Sequence, residues 1–401
     1  MASGNSSPVL PWWDQLQAEA DRQSDRTDIS DGRLLSIAAT AALDRVARTG
    51  LGAMVCSALA PMLLGKGKLQ RENDKLRFYS QFADNADIAT TFVRPPKVSV
   101  VEREPSWLRP QYRFQPKGVN CRYLSFDSPY QPLNPAVADD YLSHSRNRRA
   151  QALHFCHDEP RPTLLFIHGQ SLDNYRINNW WFSLTELYDQ GYDVLMMTLP
   201  FHGPRASRNH PVSGLGFYTN GLSGTNEAML QSIFDARIWM DYLFDRGAPQ
   251  VGVSGVSLGG YLSALLANVE DRLSFAIPNS PVVAPVDMAL QWQPVAPVSQ
   301  LMFSLGDLGM AEMRHCMALH SPLTYQPKIA PERLFIISGA GDRFTSPRFV
   351  RLLHEHWEGS RIHWFPGNHL LHLQQTHYLR DMHSFIERCF AVKEKPMKLV
   401  G

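Results

Sequence analysis

Between residue 121 and about residue 390, short runs of apolar, β-prone residues alternate with stretches of helical character, and no other property of the sequence restricts the fold so severely. The runs are CRYLSF (121–126), RAQALHF (149–155), TLLFIH (163–168), DVLMMTL (193–199), QVGVSG (250–255), SFAIPN (274–279), RLFIISG (333–339) and RIHWFPG (361–367). Helical stretches fall between several of them, at 179–190, 226–246, 257–268, 346–358 and 374–390. Strands of continuous apolar character separated by helices imply an α/β fold, with a mostly parallel central sheet and helices on both of its faces. In such a sheet the functional groups sit on loops beyond the carboxyl ends of the strands.

The first 115 or so residues read differently. Leu34, Ile37, Ala38, Ala41, Ala42 and Val46 recur at helical spacing within DGRLLSIAATAALDRVART (31–49), whereas Pro95, Pro96, Pro105, Pro110 and Pro116 interrupt the passage that follows. Residues 1–115 are therefore expected to form a helical and Pro-rich extension, and residues 120–395 the α/β domain. The longest apolar run, LGAMVCSALAPMLLG (51–65), is too short to span a bilayer and contains Pro61. Packing against the core or a partner is its expected fate, with peripheral membrane contact through residues 31–67 as a second reading.

Lys and Arg number 39 against 38 Asp and Glu, and the basic residues are dispersed, so nothing points to a nucleic-acid partner. The five cysteines, at 56, 121, 156, 316 and 389, form no C-x-x-C pair and fit a reducing compartment. The opening MASGNSSPVLPWWDQLQ lacks the basic and apolar regions of a secretory signal, and a cytoplasmic location is expected.

Chemistry enters at VGVSGVSLGG (251–260). Gly255-Val256-Ser257-Leu258-Gly259 fits G-x-S-x-G; Ser254 does not. Ser257 stands where a strand gives way to a helix, in a turn so tight that side chains at 255 or 259 would crowd the neighbouring elements. The free N–H groups of the helix start favour an anion developing near that hydroxyl. A serine is a weak nucleophile until a base takes its proton, and the base needs an orienting carboxylate. Asp342 lies past the strand at 333–339 in GAGDRFTSP, and His369 past the strand at 361–367 in PGNHLLH. Asp287 competes with Asp342, and His372 with His369. His354-Glu355-His356 would point its imidazoles to different sides of a helix, and no compact ligand pattern, Walker loop or dinucleotide fingerprint is present, so neither a metal nor any other cofactor is expected.

In order and spacing these motifs resemble those of the α/β-hydrolase superfamily, over residues of about 120 to 390. FIHGQS is similar to the His-Gly turn after that family's third strand, LPFHG to its turn after the fourth, GVSLGG to its nucleophile elbow, GAGDRFTSP to its acid loop and PGNH to its histidine loop. The resemblance implies Ser257 as nucleophile, His369 as general base and then acid, Asp342 as the group that orients the imidazole, and the backbone amides of Leu258 and Gln170 as the oxyanion hole. It also implies a serine hydrolase that works through an acyl-enzyme, acting on a carboxylic ester. Thioester and amide hydrolysis stay open on the same groups, as does a non-catalytic module that docks a partner through residues 1–115.

About 53 residues separate the strands at 274–279 and 333–339, more than a crossover needs, so a cap insertion is expected at about 283–325. It carries Met288, Leu290, Trp292, Leu301, Met302, Phe303, Leu305, Met310, Met313 and Met317. Such residues suit a lid over an apolar group, so a small, largely apolar ester is the expected substrate. His168, Gly169, His202, Phe217 and Trp292 are expected at the substrate pocket, His168 and His202 by shaping its turns. Tyr218, Trp180 and Trp181 could add walls, and Arg205, Arg208 and Arg343 could receive a carboxylate.

Overall fold

A computed structural model of the chain describes residues 11–23, 34–63, 67–85, 87–109, 112–208, 210 and 212–391. Among these, β1 (Val101–Arg103), β2 (Cys121–Asp127), β3 (Arg149–Phe155), β4 (Thr163–Ile167), β5 (Asp193–Thr198), β6 (Val251–Val256), β7 (Leu273–Asn279), β8 (Phe335–Gly339) and β9 (Arg361–Phe365) form one sheet. Its order is β1-β2-β3-β5-β4-β6-β7-β8-β9. From β5 to β9 every neighbouring pair is parallel, while β1, β2 and β3 pair antiparallel. The eight apolar runs are thus strands β2 to β9. Strand β1 lies in the Pro-rich passage, where three exposed residues pair with Tyr123–Ser125; so short a segment leaves no run to detect.

Every residue of β4, β5, β6, β7 and β8 is buried, which is why these strands read as continuous apolar runs. Successive side chains still alternate. Leu165 and Ile167 join a core with Trp239 and Leu262 on the helices Gly221–Asp245 and Leu258–Val269. Leu164 and Phe166 turn to the opposite face, toward Phe182, Phe275 and Phe385, the last on the helix Gln375–Ala391. Each such side chain contributes about 1.5–3 kcal/mol by leaving water. The helix expected at 179–190 is two helices, Tyr175–Phe182 and Leu184–Asp189, divided at Ser183, whose φ is 49°.

The chain runs from β4 to β5 on one side and returns to β6 on the other, so strand order reverses around β4. A crevice opens past the carboxyl ends of β4 and β6, the usual place for a ligand in a sheet of this kind. Three cap helices, Pro285–Ala289, Val295–Leu305 and Met310–Ala318, lie between β7 and β8.

The N-terminal helix Leu34–Leu63 runs through Pro61 for 30 residues, about 45 Å. It packs on the cap helix Val295–Leu305 and on the helices Lys68–Arg77 and Gly216–Thr219. Ala41, Asp44 and Gly52 are buried on its inward face. Gly52 lies so near Gln293 that a Cβ there would stand 2.9 Å from the Gln293 carbonyl oxygen. Ala42 and Val46, expected on the apolar stripe, face water instead, Val46 at 72% exposure. The side chains of Leu34, Ile37 and Ala38, and the whole of residues 31–33 and 64–66, lie outside the described residues. Among the described residues no helix is long and apolar enough to cross a membrane.

Candidate active site

The turn from β6 into the helix Leu258–Val269 holds Ser257 at φ 57°, ψ −114°, a left-handed backbone that a serine adopts only under constraint. Glycines admit it. A Cβ at Gly259 would overlap the carbonyl oxygens of Ile167, at the end of the adjacent β4, and of His168 just past it, and one at Gly255 would overlap those of Gly259 and Ile167. The Ser257 N–H donates to the Asn279 carbonyl at 2.9 Å, which ties the turn to the end of β7.

His369 and Asp342 arrive from the ends of β9 and β8. His369 Nε2 lies 2.9 Å from Ser257 Oγ, and His369 Nδ1 lies 2.8 Å from Asp342 Oδ2. Asp342 is wholly buried, yet its donors are abundant: the N–H groups of Phe344 and Thr345 give hydrogen bonds to Oδ1, and the Thr345 hydroxyl gives one to Oδ2. Burial on its own pushes the Asp342 carboxyl up and the His369 imidazole down. The attraction and hydrogen bond between them outweigh it, so the carboxyl titrates below its ordinary value and the imidazole above. The ring of Phe344 stacks on that of His369 with centroids 4.7 Å apart, and Trp292 of the cap meets Phe344 edge-on.

Leu258 begins its helix, so its N–H is one of those without an intrahelical acceptor. Gln170 follows the close Gly169, where a Cβ would stand 3.3 Å from that of Ser257, and the Leu172 N–H closes the turn on the Gly169 carbonyl. Ser257, Leu258, Gln170 and His369 border one cavity of about 350 Å³. Its far walls are largely apolar: Met288, Leu290, Trp292, Met302, Phe303, Met313 and Met317 of the cap, Met229 of the long helix, and Leu51 and Val55 of the N-terminal helix. Of the cap residues singled out in the sequence, Leu301 and Leu305 instead face water.

Other expectations separate cleanly. Trp292 and Tyr218 border the cavity, but His168, His202 and Phe217 are buried behind it, and Gly169 packs beneath the elbow without lining the space. His168 Nε2 accepts from the Leu199 N–H, and burial holds both His168 and His202 below the ordinary imidazole range. Trp180 is exposed, and Trp181 packs on His372. Asp287 is paired with the Arg314 guanidinium at 2.6 Å, and His372 faces the Tyr378 hydroxyl at 2.7 Å. Arg205 cannot meet a substrate carboxylate: it is fully buried, bonded to Asp235 and to the carbonyls of Asn147 and Thr198.

The sequence reading missed Asp44. This carboxylate on the N-terminal helix, 0% exposed, accepts hydrogen bonds from the backbone N–H groups of His369 (3.0 Å) and Arg343 (2.9 Å). The available signal was its isolation, because no other acidic residue occurs between Gly32 and Arg71.

No family model matches the sequence. The uncharacterized proteins MT2702 and Rv2627c of Mycobacterium tuberculosis, from strains CDC 1551 / Oshkosh and ATCC 25618 / H37Rv, are each 30% identical over 288 residues. The match covers 66% of this chain and 63% of those relatives, so it spans less than two thirds of their length. Among solved structures, acetyl xylan esterase 1 from Thermoanaerobacterium sp. JW/SL YS485 superimposes with a TM-score of 0.55 at 16% identity, over 78% of this chain and 98% of its own. An acetyl xylan esterase from Paenibacillus sp. R4 gives 0.53 at 15%, over 79% and 98%.

Proposed function

We propose, from the α/β-hydrolase fold that this chain has, that it is a serine hydrolase cleaving carboxylic esters with an apolar acyl group. One observation carries the reading: the unbroken hydrogen-bond chain from Ser257 Oγ through His369 to Asp342, at the wall of an apolar cavity.

In this reading Ser257 Oγ attacks the ester carbonyl carbon while His369 Nε2 takes its proton, and the carbonyl π electrons move onto the oxygen. That oxyanion faces the amides of Leu258 and Gln170; one such donor typically contributes about 3 kcal/mol to the transition state. Collapse expels the alcohol, which leaves with the proton from His369. Water then enters, gives a proton to His369 and attacks the acyl carbon, releasing the acid and restoring the Ser257 hydroxyl. Asp342 stays ionised throughout and holds the Nδ1–H tautomer.

The two solved esterases are named for an acetyl ester of a polysaccharide. The methionine-rich cavity here suits a longer apolar acyl chain better than a sugar. A panel of p-nitrophenyl esters from acetyl to decanoyl, with acyl-CoA thioesters and anilides alongside, tests this directly. The expected result is turnover of esters longer than acetyl, reduced by roughly 10³-fold or more in Ser257→Ala. Turnover unchanged in Ser257→Ala would reassign the nucleophile.

A further inference from the structure

The two loops that bring Asp342 and His369 together come from different strands and are joined at their bases, where the Ala340 N–H donates to the Phe365 carbonyl at 3.0 Å and the Gly341 N–H to the Gly367 carbonyl at 2.7 Å. Asp44 touches both. Its Oδ2 accepts from the N–H of His369 itself and from the N–H of Arg343, the residue next to Asp342. One turn further along the same helix, the Arg48 guanidinium donates to the Arg343 carbonyl at 2.7 Å, so the helix grips both backbone groups of that peptide residue. The arrangement spans 325 positions of sequence and puts a carboxylate beyond reach of water. Its other oxygen, Oδ1, is buried with no hydrogen-bond partner among the described residues. An ionisable group held this way strains against its surroundings, and nothing in the packing of a helix on a cap requires one.

We propose that Asp44 is a positioning residue, whose carboxylate pins the acid loop and the histidine loop at the spacing that hydrolysis requires and so makes the N-terminal helix part of the catalytic machinery. The proposal rests on Ser257, His369 and Asp342 acting as read above. The helix supplies two things to one site: the clasp at Asp44 and Arg48, and a stretch of cavity wall at Leu51 and Val55. Asp44 also acts on His369 through space. The titratable and charged groups around the imidazole are Asp342 from the acid loop, Asp44 from the helix and His372 from its own loop, with Arg48 and Arg343 flanking Asp44. Burial works against the charged imidazole, and the negative charges of Asp342 and Asp44 both favour it.

Full-length Asp44→Ala and Asp44→Asn test this, with kcat, KM and the pH dependence of kcat/KM measured on the best ester of the panel and folding checked by circular dichroism. Asp44→Ala, which removes the acceptor, is expected to lower kcat at least tenfold while KM moves less than about threefold. Asp44→Asn keeps an acceptor oxygen and is expected to recover most of that loss. Because it removes a negative charge beside His369, its acidic limb is expected to move to lower pH by about half a unit. Should Asp44→Ala not fold, the Asp44→Asn profile decides alone. A folded Asp44→Ala with wild-type kcat, or an acidic limb unmoved in Asp44→Asn, overturns the proposal. Loss of turnover in Ser257→Ala beside either result would leave the hydrolase reading standing.

Discussion

Two buried carboxylates reach His369, one from the acid loop after β8 and one from the N-terminal helix, and they behave oppositely. Both Asp342 and Asp44 are fully buried. Asp342 has donors on each oxygen and titrates below its ordinary value, because the charge and hydrogen bonds of its surroundings outweigh burial. Asp44 has two donors on one oxygen and, among the described residues, none on the other, and burial, followed by repulsion from Asp342, pushes it up to about 6. Burial opposes the charge of both; at Asp342 the charge of His369 and hydrogen bonds on both oxygens outweigh it, and at Asp44 they do not. In the proposed reading the first carboxylate stays charged beside an imidazolium, and the second holds backbone and biases that imidazolium from outside.

Three substitutions would break or sharpen this contrast. The largest effect belongs to Asp342→Asn, which is expected to reduce kcat by about 10⁴-fold with the fold intact, since an amide favours the wrong imidazole tautomer. Steady-state kinetics on the best ester check it, and a loss no larger than that of Asp44→Asn would erase the distinction between the two groups.

Leu51→Trp should act on the helix's other contribution, the cavity wall. It is expected to lower kcat/KM for octanoyl esters relative to acetyl esters roughly tenfold, the scale on which an apolar pocket discriminates methylenes. An unchanged chain-length preference would remove the N-terminal helix from the substrate site.

The smallest effect is thermodynamic. Folding raises the Asp44 pKa from 3.8 to about 6, so between those values the folded chain binds the extra proton and stability falls as pH rises. Asp44→Asn lacks this dependence. Its Tm relative to the wild type is expected to become more favourable between pH 4 and pH 7, by a few degrees, and calorimetry at both pH values checks the trend. A difference that stays flat would mean that Asp44 is ionised without penalty.

The same contrast explains what was legible in the sequence. Ser257, Asp342 and His369 each sit just past a strand whose apolar run announces itself, so chain order and strand ends suffice to place them on one edge of the sheet. Gly255 and Gly259 are legible for the same local reason, since the elbow leaves no space for a side chain. Asp44 was not legible, because which face of a helix turns inward depends on what it packs against. Of the expected stripe Ala41 is buried, but Ala42 and Val46 face water, and Asp44 and Gly52 turn inward instead, with Val55 bordering the cavity. Arg205 misleads in the opposite sense, an arginine beside an active-site turn that is spent on Asp235. Phe217, expected as a wall, stands behind it, at the same depth as His202, which was expected only to shape a turn there.

The most direct measurement is to treat the full-length protein with a fluorophosphonate and locate the adduct by peptide mass spectrometry. A single phosphonyl group on the Ser257 Oγ, formed faster as pH rises through the raised His369 pKa, is the expected result. An adduct on another residue, or none at any pH where the chain is folded, would contradict the assignment of Ser257 as a nucleophile activated by His369.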